Sequence, residues 1–295
     1  MNGNPLAEIF GFPADNDTDE ARRYRKNRLC PFNNRVPSCT KDKAQDPLGV
    51  CTIDNGDHPA ITCPVRFREN WIVAEDAANF FFPPDTSWTS LTEIRLNDVN
   101  GQSAGNIDVV LVSYDEDGKI TDFGAVEVQG VYISGNIRRP FAEYMRPDNV
   151  GKPFSWSGPL YPRADYLSSS RKRLIPQLIF KGGILNSWGK KTAVVIHEGF
   201  FDTLPELSTV DKGESDIAWL VYGLEPHKSE NRLTLVKKEV VYTNFKDAMN
   251  RISVPRPGKM DDFIYKLQEK LDEKLEIDNP PETHTLKDLF DMEKD

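Results

Sequence analysis

Apolar residues gather in three runs through the middle of the chain, and their lengths and flanks set the first expectations. Residues 106–114 (NIDVVLVSY) and 120–132 (ITDFGAVEVQGVY) are separated only by Asp115-Glu116-Asp117-Gly118-Lys119. They predict two strands joined by a turn. A third run, 191–201 (KTAVVIHEGFF), has the continuous apolar character of a strand covered on both faces. Between the second and third runs, 163–181 reads as a helix capped by Asp165 or Ser168 and kinked at Pro176, with Lys181-Gly182-Gly183 as its stop. Ahead of the first run, Leu91, Ile94 and Leu96 in 85–98 predict a helix capped by Asp85 or Thr86 and ended by Gly101 to Gly105. Residues 217–223 and 233–242 suggest an added hairpin. Residues 260–277 form an amphipathic pattern through Phe263, Ile264, Leu267, Leu271 and Leu275, before an acidic tail. Helix, strand, strand, helix, strand predicts an α/β (α+β) fold: a small mixed sheet flanked by helices.

The first 65 residues follow neither period. Only 19–28 looks helical, and the stretch is rich in Pro, Asn, Asp and basic residues. All four cysteines of the chain lie here, Cys30, Cys39, Cys51 and Cys63, with 8, 11 and 11 residues between neighbours. A segment that cannot bury a core by itself, holding four thiols, reads as a tetrahedral metal site, although no CxxC pair is present. Four free buried thiols are the alternative, and His58 is a possible substitute ligand. The expected division is a four-cysteine metal-binding domain at 1–68 and a second domain at 69–295. The aromatic cluster Phe80-Phe81-Phe82, with Trp71, is expected to pack between them.

Charge changes the picture more than composition does. The net charge of −9 over 295 residues argues against a polyanionic partner, but its distribution does not. Residues 130–191 carry 11 Lys or Arg against 3 acids, residues 21–43 carry 8 against Asp42 alone, and 257–295 carry 6 Lys against 12 acids. Exposed charges act over about 8–10 Å, so the basic islands attract phosphates locally. No apolar run reaches the roughly 18 residues of a membrane span, and the start lacks a secretory pattern. A cytoplasmic location is the expectation.

Two acids stand out. Asp108 interrupts the first strand, and Glu127 lies in the second among Ala125, Val126 and Val128. A carboxylate in an apolar strand needs a partner or a cation. Neighbouring strands bring these two together, and Gln129, two residues on, shares the face of Glu127. Converging oxygens on a rigid sheet suit Mg²⁺, which polarises a phosphodiester and activates water. Gln129 stands where a lysine would ordinarily orient that water. Glu93, on the expected preceding helix, is a candidate outer carboxylate. The histidines form no HExxH, and GxSxG, Walker A and GxGxxG loops are missing from the sequence.

LAEIFGFP, CPFNNRVPSCTK, the GVC and TCP turns, SAGNIDVVLV and GAVEVQG together resemble the NotI family of type II restriction endonucleases, over roughly residues 5–200. The resemblance implies a PD-(D/E)xK nuclease core after a small four-cysteine metal fold. Asp108, Glu127 and Gln129 would be catalytic, and Cys30, Cys39, Cys51 and Cys63 would bind a structural metal, iron in the family where general chemistry favours zinc. It further implies a homodimer cutting double-stranded DNA at a palindrome. Candidate DNA contacts are Arg138, Arg139, Arg146, Arg163, Arg171, Lys172 and Arg173 after the hairpin, with Arg22, Arg23, Arg25 and Arg28 from the first domain. A repair or transposition nuclease and a non-cleaving DNA-binding protein are the other readings.

Overall fold

The computed structural model describes residues 3–33, 36–43, 45–56, 58–255 and 257–275. The expected acidic tail lies outside the described residues. The described residues up to Ser253 form one compact unit and those from Val254 on a second.

The N-terminal part contains more regular structure than its composition suggests. Strands β1 (Leu6–Ile9), β2 (Phe12–Pro13), β5 (Val50–Ile53) and β6 (Ala60–Ile61) form a sheet ordered β2-β1-β5-β6, and β3 (Asp42–Lys43) pairs with β4 (Asp46–Pro47). Helix α1 (Asp19–Lys26) is capped by Thr18, whose side chain accepts the Ala21 N–H. The strands bury Leu6, Ile9, Val50, Ile53 and Ala60, and the same cluster takes in Phe141 and Tyr144 from α3 (Arg138–Tyr144). The expectation that this stretch lacks a core of its own is corrected in that way: short strands bury it with help from a distant helix.

The main sheet has six strands in the order β14-β13-β12-β9-β8-β7. Strands β8 (Ser103–Tyr114) and β9 (Ile120–Gln129) are the expected hairpin, and β12 (Thr192–His197) lies parallel to β9. Beyond β9, β10 (Tyr132–Ser134) pairs with β11 (Arg163–Asp165). Strand β13 (Ile217–Pro226) runs parallel to β12 inside the sheet, and β14 (Leu233–Thr243) closes the edge. The expected hairpin of 217–223 and 233–242 is present as the antiparallel β13–β14 pair, but it is no appendage: β13 buries its first eight residues and is part of the core.

Residues 85–98 also depart from expectation. Strand β7 (Trp88–Asn97) replaces the helix and pairs antiparallel with β8 from Trp88↔Ser113 onward. Thr89, Ser90 and Thr92 alternate around Leu91, which suits a pleated edge. Leu91 and Ile94 are 42% and 40% exposed there, so the helical spacing that suggested a buried face was coincidental.

Helices cover both faces, which explains why the central strands are apolar without alternation. On one side α2 (Ile72–Phe81) packs Ala74, Ala77 and Phe81 on Val109, Leu111, Val126 and Leu220. A Cβ at Gly124 would lie 2.4 Å from the Phe81 ring, so glycine is what admits that ring onto β9. The aromatic cluster thus seats a helix on the sheet. On the other side a helical segment joins α4 (Tyr166–Ser169), α5 (Ile175–Gln177) and α6 (Gly183–Ser187) through π-turns at Ser170–Leu174 and Leu178–Gly182. Asp165 caps it, accepting the Ser168 N–H at 2.8 Å. Pro176 does not end the segment. The wider π-turns on either side accommodate a residue that lacks an N–H and crowds the preceding turn. Helix continues through Gly182-Gly183, so the expected stop there is corrected. Leu174 and Leu178 pack on Val194, Ile196 and Trp219, beside α8 (Phe245–Ser253). Helix α7 (Glu198–Phe201) follows β12 directly. In the second unit, α9 (Met260–Leu275) leaves Phe263, Ile264, Leu267 and Leu271 exposed. Among the described residues no helix is long and apolar enough to cross a membrane.

Candidate active site

The chemistry collects where β8 and β9 separate. Their register ends at Val109↔Val126, and Asp108 stands at the parting. Its Oδ2 accepts the Val128 N–H at 2.9 Å, a backbone donor that the ladder no longer satisfies. Glu127 is buried, and its Oε2 lies 2.5 Å from Lys181 Nζ. Its Oε1 is buried without a hydrogen-bond partner among the described residues. Burial pushes the Glu127 carboxyl up to about 7; Lys181 opposes that rise and the nearby Asp108 charge adds to it. Lys181 thus pairs with Glu127, while Asp108 is held by a backbone N–H. Gln129 is buried and donates through Nε2 to Gln177 Oε1 at 2.7 Å.

Glu93 is on β7 and not on a helix, a correction that follows from the strand there. The register Thr92↔Val109 and Ile94↔Ile107 puts it across from Asp108, with its backbone at φ +58°. Glu93 and Asp108 border one cavity of about 80 Å³, lined also by Phe67, Trp71 and Val126. Asp108 therefore lies between Glu93 on the neighbouring strand β7 and Glu127 on β9. Among the described residues no group of three or more His, Cys, Asp or Glu is disposed to hold a metal ion.

Sequence reasoning missed Lys181 and Gln177. The available signal was their spacing of four on a helix between the two core strands, matching Glu127 and Gln129 two apart on a strand.

The four cysteines are free. Cys51 and Cys63 are adjacent, the Cys63 N–H donating to Cys51 O at 3.2 Å, while Cys30 and Cys39 flank the Leu29↔Ser38 bridge. Burial raises the Cys30 thiol to about 11 and lifts Cys51 well above the usual range, with Cys63 adding in both cases. His58 stands 4.0 Å from Glu198.

The basic candidates fall into two groups. Arg138 pairs with Asp42 and Asp46 of the β3–β4 hairpin, Arg22 with Asp17 at 2.6 Å and Arg146 with Glu143 at 2.9 Å. Arg173 lies over the Tyr132 ring at 4.6 Å. Arg23, Arg139, Arg163, Arg171 and Lys172 are exposed, and none forms an ion pair with a described residue. Arg25 is a correction: it is buried and donates to Asn16 O at 2.5 Å and Pro13 O at 2.6 Å, so phosphates cannot reach it. Arg28 is held by Asp46 at 2.6 Å.

A family model described as restriction endonuclease NotI matches residues 17–235. The chain belongs to the NotI restriction endonuclease family. The match spans the four cysteines, the β8–β9 hairpin, the helical segment with Lys181 and the central strands up to the start of β14. Membership makes the chain a type II site-specific DNA endonuclease, a hydrolase whose substrate is double-stranded DNA. No curated protein matches the chain significantly.

Proposed function

We propose that this member of the NotI family is a Mg²⁺-dependent PD-(D/E)xK endonuclease that cuts duplex DNA at a palindromic site as a homodimer. The observation that carries the reading is the meeting of Asp108 and Glu127 at the strand parting. One buried oxygen of Glu127 is left without a partner there, the other is held by the Lys181 ammonium, and the Asp108 charge acts on the same carboxyl. That donor set fits a hard divalent cation. Asp108 and Glu127 would hold it, and when bound it supplies Lewis acidity toward a phosphate and a more acidic water.

The chain's own residues do the rest. The Val128 N–H fixes the Asp108 carboxylate. Gln177 takes a Gln129 N–H, which leaves the Gln129 carbonyl oxygen to accept a hydrogen bond from water. Glu93 serves as an outer carboxylate on the far side of Asp108. Arg23, Arg139, Arg163, Arg171 and Lys172 bind backbone phosphates, joined by Arg22, Arg146 and Arg173 where DNA displaces their present partners, while Arg138 stays with Asp42 and Asp46.

The same reading gives Cys30, Cys39, Cys51 and Cys63 to a structural iron or zinc, in an accessory fold at 1–68 beside the nuclease domain at 69–295. Free thiols gathered within electrostatic reach of one another support it. Their arrangement as protonated thiols is looser than a closed ligand set.

Incubating the protein with plasmid and Mg²⁺ is the test. Discrete fragments whose sequenced ends share a two-fold symmetric site are expected, from a protein that sediments as a dimer. Intact plasmid in both Mg²⁺ and Mn²⁺ overturns the nuclease reading, and fragments with random ends overturn the sequence-specific one.

A further inference from the structure

We propose that Lys181 is a positioning residue of the nuclease site: its ammonium is the counter-charge that holds Glu127 in the metal-free enzyme and fills the place a divalent cation must contest. The proposal rests on the two-carboxylate reading above.

The pair is deeply enclosed, with the Lys181 and Glu127 side chains 3% and 2% exposed. Enclosing an ammonium is costly, so such a lysine needs full compensation. Nζ also donates to Asn106 O at 2.8 Å. Gly105, at φ +116°, sets the backbone just before that carbonyl, a conformation that L side chains rarely adopt. A pair serving stability alone would satisfy both carboxylate oxygens. Here Lys181 takes Oε2 and leaves Oε1 buried and bare among the described residues.

The helix is shaped for this contact. Lys181 sits in the second π-turn, and Gln177 lies four residues before it. Gln177 meets Gln129 as Lys181 meets Glu127, so one helix face mates with one strand face residue for residue. π-turns recur where a helix must aim particular side chains. The hairpin that carries Gln129 in a lysine's place thus receives an ammonium from a different element.

Trp71 borders the Asp108 cavity, so Tb³⁺ bound there should show tryptophan-sensitised emission. Tb³⁺ titrations of the full chain without DNA, with Mg²⁺ as competitor, read the site without turnover. Lys181→Met should bind Tb³⁺ at least about tenfold more tightly and cleave plasmid more slowly. Lys181→Arg, which keeps the charge, should return Tb³⁺ affinity toward wild type. If Lys181→Met does not fold, Lys181→Gln, uncharged but still able to hydrogen-bond, should give the same shift. Unchanged Tb³⁺ affinity in the uncharged variant, with only a lower melting temperature, overturns the proposal and leaves a structural ion pair. Asp108→Asn separates the two readings. Tb³⁺ emission indifferent to Asp108→Asn sinks the two-carboxylate site itself, and this proposal with it.

Discussion

The sheet site and the cysteine cluster both bury groups that water would stabilise, but in different charge states. At the sheet, Glu127 meets an internal ammonium, and the structure carries its own counter-ion. In the N-terminal part, burial keeps Cys30 and Cys51 protonated, and the Lys41 ammonium, whose charge pulls the Cys51 thiol slightly down, is bonded instead to Val50 O and Thr62. A buried charge must be compensated at once, whereas buried neutral thiols cost little until they ionise. A cation bound at the sheet, as proposed, would therefore exchange one positive charge for another. One bound at the cysteines would require protons to leave.

Asp108→Asn should give the largest effect in either region. Plasmid cleavage should fall by roughly a thousandfold or more, the scale for groups acting on the transition state, while DNA binding in Ca²⁺ persists. Near-normal cleavage by this variant would mean that the sheet acids are structural and that the two regions differ less than their charges suggest.

This site was legible in part because its strands are continuous. Asp108 and Glu127 are conspicuous as single acids in apolar runs, and a five-residue turn forces their strands to pair. Gln129 followed from period two. Glu93 kept its proximity to Asp108 but changed element, because a three- or four-residue apolar spacing on an exposed edge strand imitates a helix. Lys181 was hidden. Pro176 and the Gly182-Gly183 pair signal an interrupted helix, and only π-turns stabilised by packing on Val194, Ile196 and Trp219 keep it continuous. The cysteines were visible as a cluster, but the sheet around them was not, because its core is completed by Phe141 and Tyr144, far along the chain.

Arg66 ties the two regions together and should give the next largest effect. Its guanidinium is fully buried, pairs with Glu8 on β1 and Glu69, donates to Leu233 O on β14 and lies over Phe32 at 4.2 Å. Arg66→Met leaves Glu8 buried and unpaired, costing about 3–5 kcal/mol. Thermal denaturation should register a fall of roughly 10 °C. A single unfolding transition that moves as a whole is expected, and separate melting of the N-terminal part would show that Arg66 does not couple it to the main sheet.

The cysteines should respond to chelation where the sheet does not. A strong chelator should lower wild-type stability by about 2–3 kcal/mol through loss of a bound metal, with no further loss in Cys51→Ala. Equal melting curves with and without chelator, and no metal by elemental analysis, would leave four neutral thiols as the whole content of this cluster.

His197, the last residue of β12, supplies a pH test. Its ring is fully buried, neither nitrogen has a well-formed hydrogen bond among the described residues, and burial lowers its pKa from the usual 6.5 to about 4. His58 and Lys238 lower it further, and the Pro59 backbone opposes them. Between pH 6.5 and 4 the unfolded chain takes a proton that the fold refuses, so stability drops as pH falls through that window. The loss should reach about 2 kcal/mol by about pH 5, measured by urea unfolding. His197→Phe should flatten the slope in that range. A slope unchanged by this substitution would assign the acid sensitivity to other groups.

The smallest expected effect separates phosphate contacts from residues that merely raise local charge. Arg171 is exposed and forms no ion pair with a described residue, whereas Arg138 is held by two aspartates. Releasing Arg138 to a phosphate means breaking both of those pairs, so its substitution should change DNA affinity little. Arg171 gives up nothing when it meets DNA. Arg171→Ala should lower affinity in Ca²⁺ by under about 1 kcal/mol at moderate salt and reduce the slope of log affinity against log salt by about one. Arg138→Ala should leave that slope unchanged and mainly loosen the β3–β4 hairpin from α3. The reverse pattern would place the DNA on the N-terminal side of α3, because only a phosphate close to Asp42 and Asp46 could displace them from Arg138.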